Sequence, residues 1–320
     1  PQKALQKGLI HKVVPAEELL AEAKRWLLEE PNPVQPWDDK KFKIPGGGPN
    51  TPQGAQVMIA ANAMSHQRAG DNYPAIRAIL SCVFEGLIVP IDAGLRIEAR
   101  YFTSLILDPT ACNMVRSLFI NKGRADKLIR RPEGIPKTDP KKIGVLGAGM
   151  MGAGVAYVSA KAGIEVVLID RTIEEAETGK AYSEGLLDKA VKRKKSTEEK
   201  KAKLLGLIKP SVDYADLEGC DLIVEAVFED RGIKADVTAK AEAVIPETSV
   251  FGSNTSTLPI TGLAEASSRP DNFIGIHYFS PVDKMPLVEI IRGEKTSDET
   301  LAKALDYVAK IRKTPIVVND

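Results

Sequence analysis

The chain has 320 residues, 44 of them basic and 43 acidic, for a net charge of +1. That length allows two domains with buried cores, while so balanced a charge provides no general field to attract nucleic acid or an acidic membrane surface. Cys82, Cys112 and Cys220 form neither a CxxC pair nor an even disulfide set, no apolar run approaches the roughly twenty residues of a bilayer span, and no charged-then-apolar leader opens the chain. The expectation is a reducing, cytoplasmic setting without a nucleic-acid partner, an integral membrane segment or a metal site.

Because the first residue is Pro1 and patterned sequence follows at once, the chain reads as an excised piece of a longer polypeptide whose beginning is missing. Leu9–Val14 is strand-like, and Pro15 opens a helix with apolar positions Leu19, Leu20, Ala23 and Leu27. Asn32-Pro33, Gln35-Pro36 and Pro45–Pro49 then break the chain into a loop. Helical periods follow through Ile76, Ile79, Leu80, Val83, Phe84 and Leu87, through Leu95, Phe102, Leu105 and Ile106, and through Met114, Val115, Leu118 and Phe119. These stripes read as packing surface, so residues 1–130 are expected to be mostly helical with no catalytic constellation of their own.

The prolines and glycine of Arg130–Pro140 predict a domain boundary over 131–140. From 141 to 320 strands and helices alternate, the signature of a mainly parallel sheet covered on both faces, an α/β fold of the doubly wound, Rossmann type. Strands are expected at 143–146, 166–169, 221–225, 249–252, 273–277, 286–291 and 316–318. Helices are expected at 173–194, 198–207, through Lys234 and Ala243, and at 298–311. The basic run 189–203 reads either as a solvated helical hairpin or as a phosphate-binding surface.

The first βαβ unit carries the clearest chemistry. Ile143–Leu146 leads into Gly147-Ala-Gly149-Met150-Met151-Gly152, and Val166–Ile169 ends in Asp170. Gly147 permits a sharp turn, Gly149 clears the approach of a pyrophosphate to the backbone, and Gly152 allows close helix packing. The free amides at the helix start, Met150 and Met151 among them, face phosphate, and Asp170 stands where a carboxylate binds ribose hydroxyls and repels a 2'-phosphate. NAD is therefore expected over NADP, although Arg171 places a cation beside the ribose.

Glu225, Asn254, Ser256 and His277 each follow a strand-like run, so one mouth at the carboxyl ends of the strands collects them. His277 reads as a base or as a buried structural histidine. Glu289 lies in the next strand of an apparent hairpin, where it either holds one imidazole nitrogen, leaving the other free as a base, or faces solvent on an edge strand. Glu225 and Glu229 need partners, either the cofactor's carboxamide region or the histidine pair. Lys234 lies near the cofactor or pairs with Asp230 on the surface.

With these residues assembled, the second half resembles the NAD-binding domain of L-3-hydroxyacyl-CoA dehydrogenases through Gly147–Gly152, Val224–Glu229, Ser253–Ser256, Gly275–Pro281 and Met285–Glu289. The resemblance implies oxidation of (3S)-3-hydroxyacyl-CoA to 3-oxoacyl-CoA in fatty-acid β-oxidation. It makes His277 the general base, Glu289 its orienting carboxylate and Ser256 a partner of the substrate oxygen, with Asn254 beside it. Asp170 holds the adenosine ribose, and Glu225, Glu229 and Lys234 lie near the cofactor. Many relatives carry Asn where this chain has Ser280, which leaves any role of that amide in question.

The first half is similar to the tail of an enoyl-CoA hydratase domain plus the helical linker of multifunctional fatty-acid oxidation proteins. No hydratase activity is expected of it, because the segment that would form the hydratase pocket is absent. The family continues past Asp320 into a helical domain, so NAD binding without effective turnover is expected of this piece. Expected partners are an acyl-CoA, a thiolase subunit and a second copy docked through that helical domain, with Lys192 and Lys194 on the CoA phosphates. Two other readings stay open: a Rossmann dehydrogenase of small 3-hydroxy acids, and a non-catalytic assembly module whose helices 75–130 dock a partner.

Overall fold

The computed structural model describes residues 1–29, 34, 36–39 and 41–320, so the breakers Asn32, Pro33 and Gln35 lie outside the described residues. Residues 1–113 and 114–320 form two units. In the first, the main helices are α1 Gln2–Gln6, α2 Leu19–Glu29, α3 Pro52–Ala69, α4 Pro74–Gly86 and α5 Ile91–Leu107. α2 follows Pro15 through a short 3-10 turn, as its spacing predicts. Leu9–Val14 is not a strand. No strand pairs with it among the described residues, and Leu9 is exposed. α3 was not predicted, because its alanines, glutamines and methionines form no concentrated apolar stripe. Thr51 starts it by accepting a hydrogen bond from the Gly54 amide, with Pro52 in the first turn. The stripes of α4 and α5 fall on helices as expected, yet Ile79, Val83, Leu95, Phe102 and Ile106 are exposed.

The second unit starts within α6 Pro109–Val115 and continues through a π-helical turn at Arg116–Asn121 and α7 Lys122–Asp126. An eight-stranded sheet follows, with strands β1 Lys142–Leu146, β2 Glu165–Ile169, β3 Ile208–Ser211, β4 Leu222–Glu225, β5 Val250–Ser253, β6 Phe273–Tyr278, β7 Leu287–Arg292 and β8 Thr314–Asn319. Their order is β3-β2-β1-β4-β5-β6-β7-β8. The pairs from β3 through to β6 are parallel, β7 runs antiparallel to β6, and β8 lies parallel to β7. Parallel neighbours need crossovers, which are supplied by α8 Met150–Lys161, α9 Ile173–Lys192, α10 Glu198–Gly206, α11 Arg231–Glu242, the short α12 Ile260–Leu263 and, between β7 and β8, α13 Asp298–Lys310.

Both sheet faces are buried. Ile143, Val145, Leu168, Ile274 and Tyr307 belong to one core cluster, and Leu146, Val167, Ile223, Phe251 and Phe273 to the other. This is why the strands read as unbroken apolar runs instead of alternating ones. The strand β3 escaped the sequence reading because Ile208-Lys209-Pro210-Ser211 is short and contains proline, which only an outermost strand tolerates.

The predicted boundary at 131–140 is not where the units divide. Those residues are bound into the sheet unit by Asp306 of α13, whose carboxylate accepts from Arg131 Nε at 2.8 Å, the Thr138 amide at 2.8 Å and the Thr138 hydroxyl at 3.0 Å. The prolines keep helix and strand out of that stretch, as expected, but such a stretch is not a domain boundary when its polar groups find a buried carboxylate.

Candidate active site

Strand order reverses between β1 and β4, and in open α/β sheets ligands gather at the carboxyl side of such a switch point. Gly147 leaves β1 with φ +92°, and a Cβ there would lie 2.5 Å from the Ala226 carbonyl oxygen. Gly152 packs α8 onto this turn so closely that a Cβ would fall 1.8 Å from the Gly147 carbonyl oxygen. Gly149 is different: a Cβ there would meet nothing within 4 Å, and the helix it starts has no side-chain cap. Open space above uncapped helix amides is the fit a pyrophosphate needs.

Asp170 ends β2 beside this turn. Its Oδ2 accepts from the Ala148 amide at 2.6 Å, and its Oδ1 accepts from the Arg171 amide at 2.8 Å. The guanidinium of Arg171 is directed to Glu175, with Asp170 Oδ1 3.9 Å away. Gly147, Gly149, Met150, Met151, Gly152 and Asp170 thus share one corner, and their arrangement fits a dinucleotide with an unsubstituted ribose.

At the other side of the crevice His277 and Glu289 are cross-strand partners in the antiparallel β6–β7 pair. Register therefore aligns them, and His277 Nδ1 lies 2.7 Å from Glu289 Oε2. A carboxylate can only accept, so Nδ1 carries the proton and Nε2 is left as the basic nitrogen. Nε2 lies 3.2 Å from the Ser256 hydroxyl. The Phe279 ring stands tilted at 4.8 Å from the imidazole and restricts its rotation. Asn254 supports this geometry from just past β5, because its Oδ1 accepts the Tyr278 amide at 2.9 Å.

Beneath the crevice lies a cluster that the sequence suggested but did not resolve. Lys234 is 2% exposed and reaches Glu225 Oε1 at 2.9 Å, Glu225 Oε2 at 3.0 Å and Glu229 Oε2 at 3.3 Å. Glu225 also accepts from the Ser253 hydroxyl at 2.6 Å and the Val227 amide at 2.9 Å. The partner of Glu225 is therefore Lys234, not the histidine pair. Lys234 in turn is not a surface partner of Asp230, whose carboxylate caps α11 at the Ile233 amide.

Glu229 accepts from the Thr255 hydroxyl and from the Ser256 amide at 3.1 Å. Burial alone would raise its carboxyl pKa, but Thr255, the Lys234 charge and the Ser256 amide outweigh that and hold it below the usual carboxylate range. The cluster fixes the 253–256 loop, and with it Ser256. Thr255 gave no separate signal in sequence. Lys192, the last residue of α9, and Lys194 just beyond it are exposed and share no hydrogen bond with these residues. Ser280 donates to the Met150 sulfur at 3.6 Å, so the hydroxyl in this position touches the glycine-turn helix.

Residues 142–320 match the family model described as the 3-hydroxyacyl-CoA dehydrogenase NAD-binding domain. The chain is 38% identical over its whole length to the fatty acid oxidation complex subunit alpha of Shewanella amazonensis, of which it spans 45%. It therefore covers less than half of that relative. Among solved structures, (S)-3-hydroxybutyryl-CoA dehydrogenase from Ralstonia eutropha is 38% identical with a TM-score of 0.55, over 57% of this chain and 64% of that one. The dehydrogenase part of multifunctional enzyme 1 from C. elegans is 28% identical with a TM-score of 0.54, over 62% and 48% of the two chains.

Proposed function

The chain belongs to the 3-hydroxyacyl-CoA dehydrogenase family, and from that premise we propose that the protein oxidises (3S)-3-hydroxyacyl-CoA to 3-oxoacyl-CoA with NAD. The observation that carries this reading is the aligned set Ser256, His277 and Glu289, with one imidazole nitrogen held by a carboxylate and the other beside a hydroxyl. NAD, when bound, supplies the two-electron acceptor for the C3–H bond. His277 Nε2 takes the proton of the C3 hydroxyl, Glu289 balances the imidazolium that forms, and Ser256 donates to the substrate oxygen. In the reductive direction the same groups act in reverse, with His277 returning the proton.

Glu225 and Lys234 are read as the frame of the 253–256 loop, while Asp170 reads the ribose. The direct test is oxidation of NADH by acetoacetyl-CoA and by free acetoacetate in the native protein. Turnover of the thioester alone supports the reading, and equal turnover of both would replace it with a dehydrogenase of small 3-hydroxy acids.

Lys192 and Lys194 are proposed to meet the CoA phosphates. CoA affinity should then fall steeply with added salt, and salt-independent affinity in calorimetry would exclude the contact. Residues 1–130 are proposed as the end of a hydratase domain and its linker, in keeping with a likeness to the Shewanella relative that extends through them. From that relative's name a complex is proposed, cytoplasmic, with a thiolase subunit as the partner to seek by co-purification and a second copy as the alternative.

A further inference from the structure

The turn of residues 280–285 joins the two strands that carry His277 and Glu289. Within it the Lys284 and Met285 amides donate to the Pro281 carbonyl, both at 3.0 Å, and besides the Ser280–Met150 contact three further contacts seat it on the rest of the sheet unit. Val282 is 2% exposed and presses on α8 at Gly154, where a Cβ would come within 2.7 Å of the Val282 Cβ. The Tyr182 hydroxyl of α9 donates to Asp283 Oδ1 at 2.8 Å. Lys313, 9% exposed at the entry to β8, donates from Nζ to the carbonyls of Val282 and Met285, both at 2.6 Å.

The lysine is the unusual member. An ammonium taken out of water is normally matched by a carboxylate, whereas the hydrogen bonds of this one go to neutral carbonyls. Burial lowers its pKa and the nearby Lys161 charge acts in the same direction, while Asp283 opposes them. The chain reaches it through Arg312, a non-glycine residue at φ +60°. That left-handed residue ends α13, with the Arg312 amide donating to the Ala309 carbonyl at 2.9 Å and the Lys313 amide to the Val308 carbonyl at 3.1 Å, so the helix end delivers Lys313 to the turn. A buried cation whose hydrogen bonds go to two carbonyls of one turn is a cost that a merely space-filling side chain would not incur.

We propose that Lys313 is a positioning residue: by gripping the carbonyls of Val282 and Met285 it fixes the turn that sets Glu289 opposite His277, and so aims Nε2 into the crevice. The proposal rests on reading His277 as the base. Lys313 does not touch the substrate. Its removal loosens the hairpin instead, and a misplacement of about 1 Å in a reacting group is enough for a large loss of rate.

The test has two arms in the native protein. In 15N-histidine-labelled protein the Nδ1 proton resonance of His277, identified by its loss in His277→Ala, should move or broaden in Lys313→Met. In steady-state assays kcat should fall about tenfold or more, with KM for NADH unchanged and partial recovery in Lys313→Arg. Lys313→Gln, which keeps a single amide donor without the charge, should lie between wild type and Lys313→Met in both arms. It also carries the test should Lys313→Met fail to fold. A Lys313→Gln protein identical to wild type in the His277 resonance and in kcat overturns the proposal. Wild-type protein inactive toward acetoacetyl-CoA would instead sink the dehydrogenase reading and leave the resonance arm to decide on Lys313.

Discussion

A histidine acts as a directional base only when one ring nitrogen is occupied, and here Glu289 occupies Nδ1 at 2.7 Å. His277→Ala removes the proton acceptor while leaving the crevice, so turnover of acetoacetyl-CoA should drop by about 10²- to 10⁴-fold with NADH affinity preserved. A rate within a factor of two of wild type would remove the residue from the mechanism. Asp170 acts on binding instead. Its carboxylate already accepts two backbone amides beside the glycine turn, and if it reads the ribose as proposed, Asp170→Ala should weaken NADH and improve NADPH relative to it. An unchanged affinity ratio in calorimetry would mean the carboxylate does not read the ribose. The dyad was legible in sequence because an antiparallel hairpin aligns positions 277 and 289 by register alone. The Glu225–Lys234 pair was not, since burial of a lysine depends on what α11 packs against, and no local spacing announces that.

The glycine turn and its helix behave as one element whose geometry is set by missing side chains. A methyl group at Gly152 would overlap the Gly147 carbonyl oxygen, at 1.8 Å, so Gly152→Ala must push α8 away from β1. Overpacking of this kind costs about 1–3 kcal/mol. The helix amides would move off the phosphate position as well. The expected outcome is a lower thermal midpoint together with weakened NADH binding, and a variant unchanged in both would show the contact to be soft. The strong elements of the sheet unit were readable for a related reason: a strand buried on both faces shows as an apolar run, and Val166–Ile169 or Phe273–Ile276 has no other use for such composition. Where burial is partial the signal fails, which is why α3 and β3 were missed. Leu9–Val14 reads as strand-like but is not one, because a short apolar run forms a strand only against a partner that no strand here provides among the described residues.

Across the whole sheet unit, the contacts that tie distant segments together are the ones least visible along the chain. Asp306 and Arg131 are 175 residues apart, and nothing near either names the other, so the proline-rich 131–140 stretch read as a boundary although it is fastened to α13. The Asp306 side chain is fully buried and that of Arg131 is 17% exposed. Burial by itself would raise the Asp306 carboxyl pKa, but Arg131 and the amide and hydroxyl of Thr138 more than compensate, and the group titrates below the usual range. A depressed folded pKa means a contribution to stability that is complete above the unfolded carboxyl value, near 3.9, and is lost as pH falls through the lower folded value. Asp306→Asn keeps the shape but leaves Arg131 without its counter-charge, which should cost roughly 3 kcal/mol at neutral pH. Thermal unfolding of both proteins from pH 7 to pH 3 should therefore show a gap that is widest and flat above about pH 5 and closes in acid. A gap that stays constant down to pH 3 would mean the carboxylate's charge is not what fastens residues 131–138 to the sheet.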